Sequence, residues 1–217
     1  MSSINWLNAS LRGRLGEVVG SSWRGKPYTK MYVPPTDPKT TGQTDVRGIF
    51  AHVGHLAHLL YKPVLEPYTY PVPHKHTKYN QMMMINKELY DDKVYDQSKV
   101  QILKGSLLSE PVESAGYDTD SGEADIVWYK GDDPARYDDT AIIVIYSEET
   151  DTVNVSIAKR QTQGVYPAIG KGLDAAKMHV YLMFVRQPQG AGDTGETSTT
   201  SYSTVEAVTR ATPAKPA

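Results

Sequence analysis

The sequence predicts a mainly β chain, α+β overall: a seven-stranded immunoglobulin/fibronectin III-like β-sandwich preceded by an N-terminal β-hairpin and two helices. Three observations carry this. From Lys99 onward, apolar residues recur with period two in short runs. One earlier segment has a single apolar stripe at helical spacing. Finally, 17 Gly and 14 Pro punctuate the 217 residues, which suits short elements and many turns.

The first element, Arg14 to Val33, reads as two extended stretches around Arg24-Gly25-Lys26-Pro27. Pro27 suits an edge, and Gly16, Gly20 and Gly25 mark bends or close approaches. A hairpin this short needs a surface to lie on. The main helix starts near Asp37-Pro38, with Thr40 and Gln43 at capping-box spacing. Its stripe is Val46, Ile49, Phe50, Val53, Leu56, Ala57 and Leu60, and Pro63 and Pro67 are expected to end it. A weaker helix spans Lys78 to Tyr90.

Strands are expected at Val100–Leu103, Ile126–Tyr129, Ala141–Tyr146, Val153–Ile157, around Tyr166, at Met178–Arg186 and at Thr197–Val208. Trp128 and Tyr181 fall where immunoglobulin-like sandwiches place core aromatics. Ala141–Tyr146 and Val180–Val185 are apolar at odd and even positions alike, so both faces must be covered: one by the sandwich, the other by the helix, the hairpin or a second chain. Asn154 and Ser156 restore alternation in the strand between them. The organisation is therefore a docking module over 1–97, a sandwich over 98–208 and a flexible tail over 209–217, the tail being too poor in apolar mass to pack.

Composition excludes several functions. With no Cys there are no disulfides, thiolate metal sites or cysteine nucleophiles. A net charge of -2 offers no overall pull toward nucleic acid or an anionic membrane. No apolar run approaches the roughly 18–20 residues of a membrane span. Met1 to Gly20 lacks the apolar centre of a signal peptide, so synthesis in the cytoplasm is expected. Charge is nevertheless uneven: residues 1–80 hold 10 Lys+Arg against 4 Asp+Glu, and the remainder 13 against 21. The economical partner for the basic, Tyr-bearing N-terminal part is an acidic protein surface, such as a neighbouring subunit's C-terminal domain. The 15 Tyr against 3 Trp and 2 Phe agree, because a phenol joins an apolar face to a wet hydroxyl.

Four constellations could carry chemistry. His52, His55, His58, His74 and His76 offer imidazoles for a transition metal, but those on the helix fan over roughly 120° and need not converge. Asp118-Thr-Asp120-Ser-Gly122-Glu123-Ala-Asp125 resembles the start of a calcium loop, yet Glu123 stands where the turn glycine should be; a polar loop is the simpler reading. Asp132-Asp133 and Asp138-Asp139 read as solvated turns. Gly170-Lys-Gly172 lacks the spacing and strand-to-helix context of a phosphate loop. No catalytic set, metal site or cofactor is assigned.

The stretch Gly13-Arg-Leu-Gly16-Glu-Val-Val-Gly20-Ser-Ser-Trp23-Arg-Gly25-Lys-Pro27-Tyr28, followed by Pro38-Lys-Thr-Thr-Gly-Gln43 and Arg47-x-x-Phe50, resembles the N-terminal signature of an uncharacterised family of Bacteroidota proteins and their phages. The resemblance implies a Gly-rich hairpin and helix start ahead of an all-β C-terminal region, in phage-associated and surface-assembly proteins without an established enzymatic role. The expected function is a non-enzymatic structural component of a virion or similar particle (tail, neck or capsid-surface accessory). Its expected partners are copies of itself and other structural proteins. The interface residues expected are Trp23, Tyr28 and Tyr32 on the hairpin and Ile49, Phe50, Val53 and Leu60 on the helix. Two alternatives stand beside it: a cell-surface or glycan-binding module using the Asp pairs with Trp128 or Tyr129, and a metal-dependent enzyme built on the His cluster.

Overall fold

The computed structural model describes residues 13–23, 26–68, 76–92, 95–188 and 195–208. The expected tail at 209–217 and His74 lie outside them. By its contacts the chain divides into two compact units, Met1–Thr40 and Thr41–Ala217.

The first unit contains a three-stranded antiparallel meander: β1 (Gly13–Leu15), β2 (Val18–Trp23) and β3 (Lys26–Met31), in the order β1-β2-β3. The expected hairpin is present and extended by one strand. Gly16 makes the two-residue turn from β1 to β2 with φ +60, a conformation open to glycine. Register decides which side chains share a face. Arg14 pairs with Val19 and Val19 with Lys30, Ser21 with Tyr28, and Trp23 with Lys26. Leu15 pairs with Val18 and Val18 with Met31 on the other side.

The second unit is layered. Helix α1 (Thr41–Leu60) runs without interruption into a π turn, Tyr61–Leu65, and a last helical turn, Glu66–Tyr68. Pro63 does not end it as expected. The wide turn, in which the Glu66 N–H donates to the Tyr61 carbonyl five residues back, accommodates a residue with no N–H of its own. The weaker helix is split at Asn86 into α2 (Lys78–Ile85) and α3 (Lys87–Asp92). Thr77 caps α2 through its side chain, which accepts from the Asn80 N–H.

The strands are β4 (Val112–Asp118), β5 (Glu123–Trp128), β6 (Thr140–Ser147), β7 (Thr152–Lys159), β8 (Gly164–Val165), β9 (Met178–Arg186), β10 (Glu196–Thr197), β11 (Ser201–Thr204) and β12 (Glu206–Ala207). They form a five-stranded sheet, β10-β9-β6-β7 with β11 also on β9, and a four-stranded sheet, β12-β4-β5-β8. Nine described strands thus replace the seven expected. Val100–Leu103 is a buried loop rather than a strand, because side chains complete its backbone hydrogen bonding: Ile102 and Leu103 N–H donate to Thr200 Oγ1 (2.9 and 3.1 Å), and Gln101 N–H donates to Asn86 Oδ1 (2.8 Å). The expected last strand is broken into three. Val112–Asp118 is a strand that its small and polar residues concealed.

The two strands with apolar residues on both faces lie side by side at the centre, paired antiparallel from Thr140–Val185 to Ser147–Met178. Ile142 and Val144 of β6, with Tyr181, Met183 and Val185 of β9, join a core with Ile49, Val53, Leu56 and Leu60 of α1. Ala141, Ile143 and Ile145, with Val180, Leu182 and Phe184, join a second core with Tyr117, Ile126 and Trp128 of the other sheet. The helix of the same chain therefore covers the second face. Since α1 belongs with the sheets, the border expected at residue 97 falls inside this unit. Tyr181 points to the helix, not into the space between the sheets where the sandwich analogy put it.

Candidate functional site

The hairpin presents two different faces. Leu15, Met31 and Val33 are 68%, 61% and 77% exposed. With Val18 they give one side an apolar stripe over three strands, a surface that water does not favour. The opposite side carries Arg14, Lys26, Tyr28 and Lys30 by register, and the Arg14 guanidinium lies 3.7 Å from the centroid of the Tyr32 ring. Tyr28 and Tyr32 therefore occupy the cationic face. Trp23 belongs to it by its backbone pairing with Lys26, and its side chain lies outside the described residues.

The helical candidates divide. Ile49, Val53 and Leu60 are buried in the chain's own helix-to-sheet core and have no surface left for a partner. Phe50 is exposed and stacks on Tyr90 at 4.1 Å between centroids.

A second feature lies along the seam between α1 and the five-stranded sheet. His55 Nε2 donates to Asp151, 2.7 and 2.8 Å from its two oxygens, and the Tyr146 hydroxyl donates to Asp151 Oδ1 at 3.2 Å. His52 Nδ1 donates to the Gly48 carbonyl, and its ring packs on Tyr95. Further along, His179 Nε2 donates to Glu148 (3.0 Å), so its Nδ1 accepts from the Tyr202 hydroxyl (2.9 Å). A cleft of about 310 Å³ opens among Ala51, His52, His55, Leu56, Tyr95, Tyr146 and Asp151. Burial, helped by the bond to Asp151, pushes the Tyr146 phenol up to about 12, and burial raises Tyr95 and Tyr181 as well, so these hydroxyls stay protonated donors. The His55–Asp151 pair is about half exposed, which limits it to roughly 0–1 kcal/mol. It ties the β6–β7 turn to α1.

The helical histidines do not converge on one point: His52 and His55 take separate partners, and His58 is exposed. Among the described residues no group of three or more His, Asp or Glu is placed to hold a metal. Trp128 is fully buried with Nε1 donating to the Arg160 carbonyl (3.0 Å), so it offers no face to a sugar, and Tyr129 donates to Asp132. Asp139 is no solvated turn acid. It is buried, paired with Arg186 (2.8 and 3.2 Å) and 3.7 Å from Arg160. Arg160 is itself buried, donates to Glu110 and to the carbonyls of Lys130 and Leu108, and stacks over Phe184. Asp118 Oδ1 accepts from the Asp120 N–H (2.9 Å), the polar-loop role expected of it. Gly122, at φ +78, lies so close to Gly170 that a Cβ would clash at 2.7 Å; these glycines serve chain packing.

Along the outer edge of β4 runs a groove of about 260 Å³ with Glu113, Asp118, Glu123, Asp125 and Glu206 in its lining and, among the described residues, no Lys or Arg.

The family described as DUF6266, a family of unknown function, matches residues 10–192. The chain belongs to this family. The match takes in the meander, the helices, both central strands and the β4 groove up to its C-terminal wall. Neither a curated protein nor a solved structure matches the chain.

Sequence reasoning found the hairpin and the helical histidines. It missed Asp151, Glu148, Tyr95 and Tyr202, which reach the seam from distant parts of the chain; the usable signal was the high tyrosine count.

Proposed function

We propose that this chain is a non-enzymatic structural component, assembled in many copies into a virion or similar multi-subunit particle. One observation carries the reading: a three-stranded sheet with an exposed apolar face and an exposed cationic-aromatic face. Such a sheet is marginal in water until a face is covered, and two unlike faces suit contact with more than one neighbour. The phage and Bacteroidota setting rests on the resemblance of the N-terminal signature. In this reading the paired sheets are an elaborated immunoglobulin/fibronectin III-like sandwich, with Trp128 as its inter-sheet aromatic.

The internal coverage of β6 and β9 moves the argument for a partner from the sheet core to the hairpin. Association is therefore expected to depend on Leu15, Met31 and Val33 rather than on Ile49, Val53 and Leu60. Mass photometry of the purified chain across concentration tests this. Concentration-dependent oligomers that become smaller on changing the apolar face (Leu15→Lys with Met31→Lys) or the cationic face (Lys26→Glu with Lys30→Glu) support the reading; oligomers indifferent to changes on either face overturn it.

A further inference from the structure

We infer that the cationic face of the hairpin in one copy seats in the acidic groove beside β4 of the next copy. This rests on the building-block reading above and specifies which surfaces meet. The groove is built at an unfinished sheet edge. β12 pairs with β4 only at Gly116 and Tyr117, and among the described strands none other pairs on that side of β4, so Val112 to Ala115 have no ladder partner there and face Ser203 and Thr204 of β11 across the groove. Glu113 and Glu206 are exposed at the groove, and among the described residues neither forms an ion pair with a Lys, Arg or His. Ala115, Tyr117 and Val208 give the lining an apolar component.

The donor matches in shape and sign. β3 is the edge strand of its meander, and every residue of it is exposed. Lys26, Tyr28 and Lys30 alternate onto one face, with the two ammonium-bearing positions about 13 Å apart along the strand. Glu113 lies three residues from Gly116, the partner of Glu206, so the backbone positions of the two glutamates are roughly 10 Å apart. Lys26 and Lys30 are thereby set against the two glutamates, with Tyr28 between them over the exposed Val208 beside Gly116. Because donor and acceptor are different surfaces, each copy offers one of each. The contact joins unlike surfaces, so it can repeat head-to-tail into a ring or filament as well as close by reciprocal exchange between two copies.

The test uses full-length chains: wild type, Lys26→Glu with Lys30→Glu (donor-reversed), Glu113→Lys with Glu206→Lys (acceptor-reversed), and the chain with all four changes. Size is read by mass photometry and sedimentation velocity at low salt. Circular-dichroism melts check that Thr41–Ala217 remains folded. Wild type is expected to form a concentration-dependent series. Each reversed chain alone is expected to associate at least about tenfold more weakly. An equimolar mixture of the two should recover the series as an alternating array, because both junctions between unlike chains pair opposite charges, and the fourfold variant should recover it alone. Wild-type and acceptor-reversed chains associating equally well overturns the groove assignment and leaves the building-block reading intact. A wild-type chain that stays monomeric at every concentration overturns both.

Discussion

Ile142 and Ile143 are successive residues of β6, both fully buried, yet they belong to different cores: Ile142 packs with α1 and Ile143 with Trp128 of the second sheet. The side-chain period of two puts one below and one above the sheet, and both layers come from the same chain. Ile142→Ala and Ile143→Ala are each expected to cost about 2–5 kcal/mol in urea unfolding. Either change costing less than about 1 kcal/mol would show that its face is not enclosed.

Thr200 holds the buried loop at Val100–Leu103 with one hydroxyl, which accepts from two N–H groups and donates to the Leu103 carbonyl at 3.1 Å. Thr200→Val keeps the volume and removes the oxygen. The orphaned donors are expected to cost about 1–3 kcal/mol, whereas Thr199→Val should cost less. Equal, small effects would refute the role given to that hydroxyl.

Alkaline pH is expected to weaken the fold. Burial lifts Tyr90 and Tyr146 from the ordinary 10.0 to about 12, and Tyr95 and Tyr181 rise as well. The unfolded chain loses these protons first, so stability is intact below about pH 10 and declines as the pH climbs toward 12. Urea midpoints at successive pH values, with phenolate absorbance at 295 nm, check this; midpoints that hold level across the interval contradict it. Tyr146→Phe should make the decline shallower.

The His55–Asp151 contact joins a helix to a turn in the sheet but is half exposed. A double-mutant cycle with His55→Ala and Asp151→Ala is expected to return a coupling below about 1 kcal/mol. A coupling several times larger would mean the cleft beside it is far more enclosed than its geometry indicates.

The features readable from sequence were those with local causes. The hairpin, the α1 stripe and the doubly apolar character of Ala141–Tyr146 and Val180–Val185 all follow from spacing, because burial on a given face selects residues at that element's own period. The features misread were set by distant partners. Val112–Asp118 is a strand because β5 hydrogen-bonds to it, although Glu113, Ser114, Gly116 and Asp118 advertise a loop. Val100, Ile102 and Leu103 are apolar because they are buried, and Thr200 makes them a loop. Pro63 marked a helix end that the π turn bypassed.

The amino-acid order alone determined the strongest packing demand in this protein, two neighbouring strands that tolerate no wet face, and the alternation that splits their side chains between two cores. Only the tertiary structure decided what met that demand. Covering the outer face with α1 of the same chain orders no second molecule, so the core is closed without a partner. The same chain leaves the apolar and cationic faces of the hairpin exposed, and these surfaces remain for association.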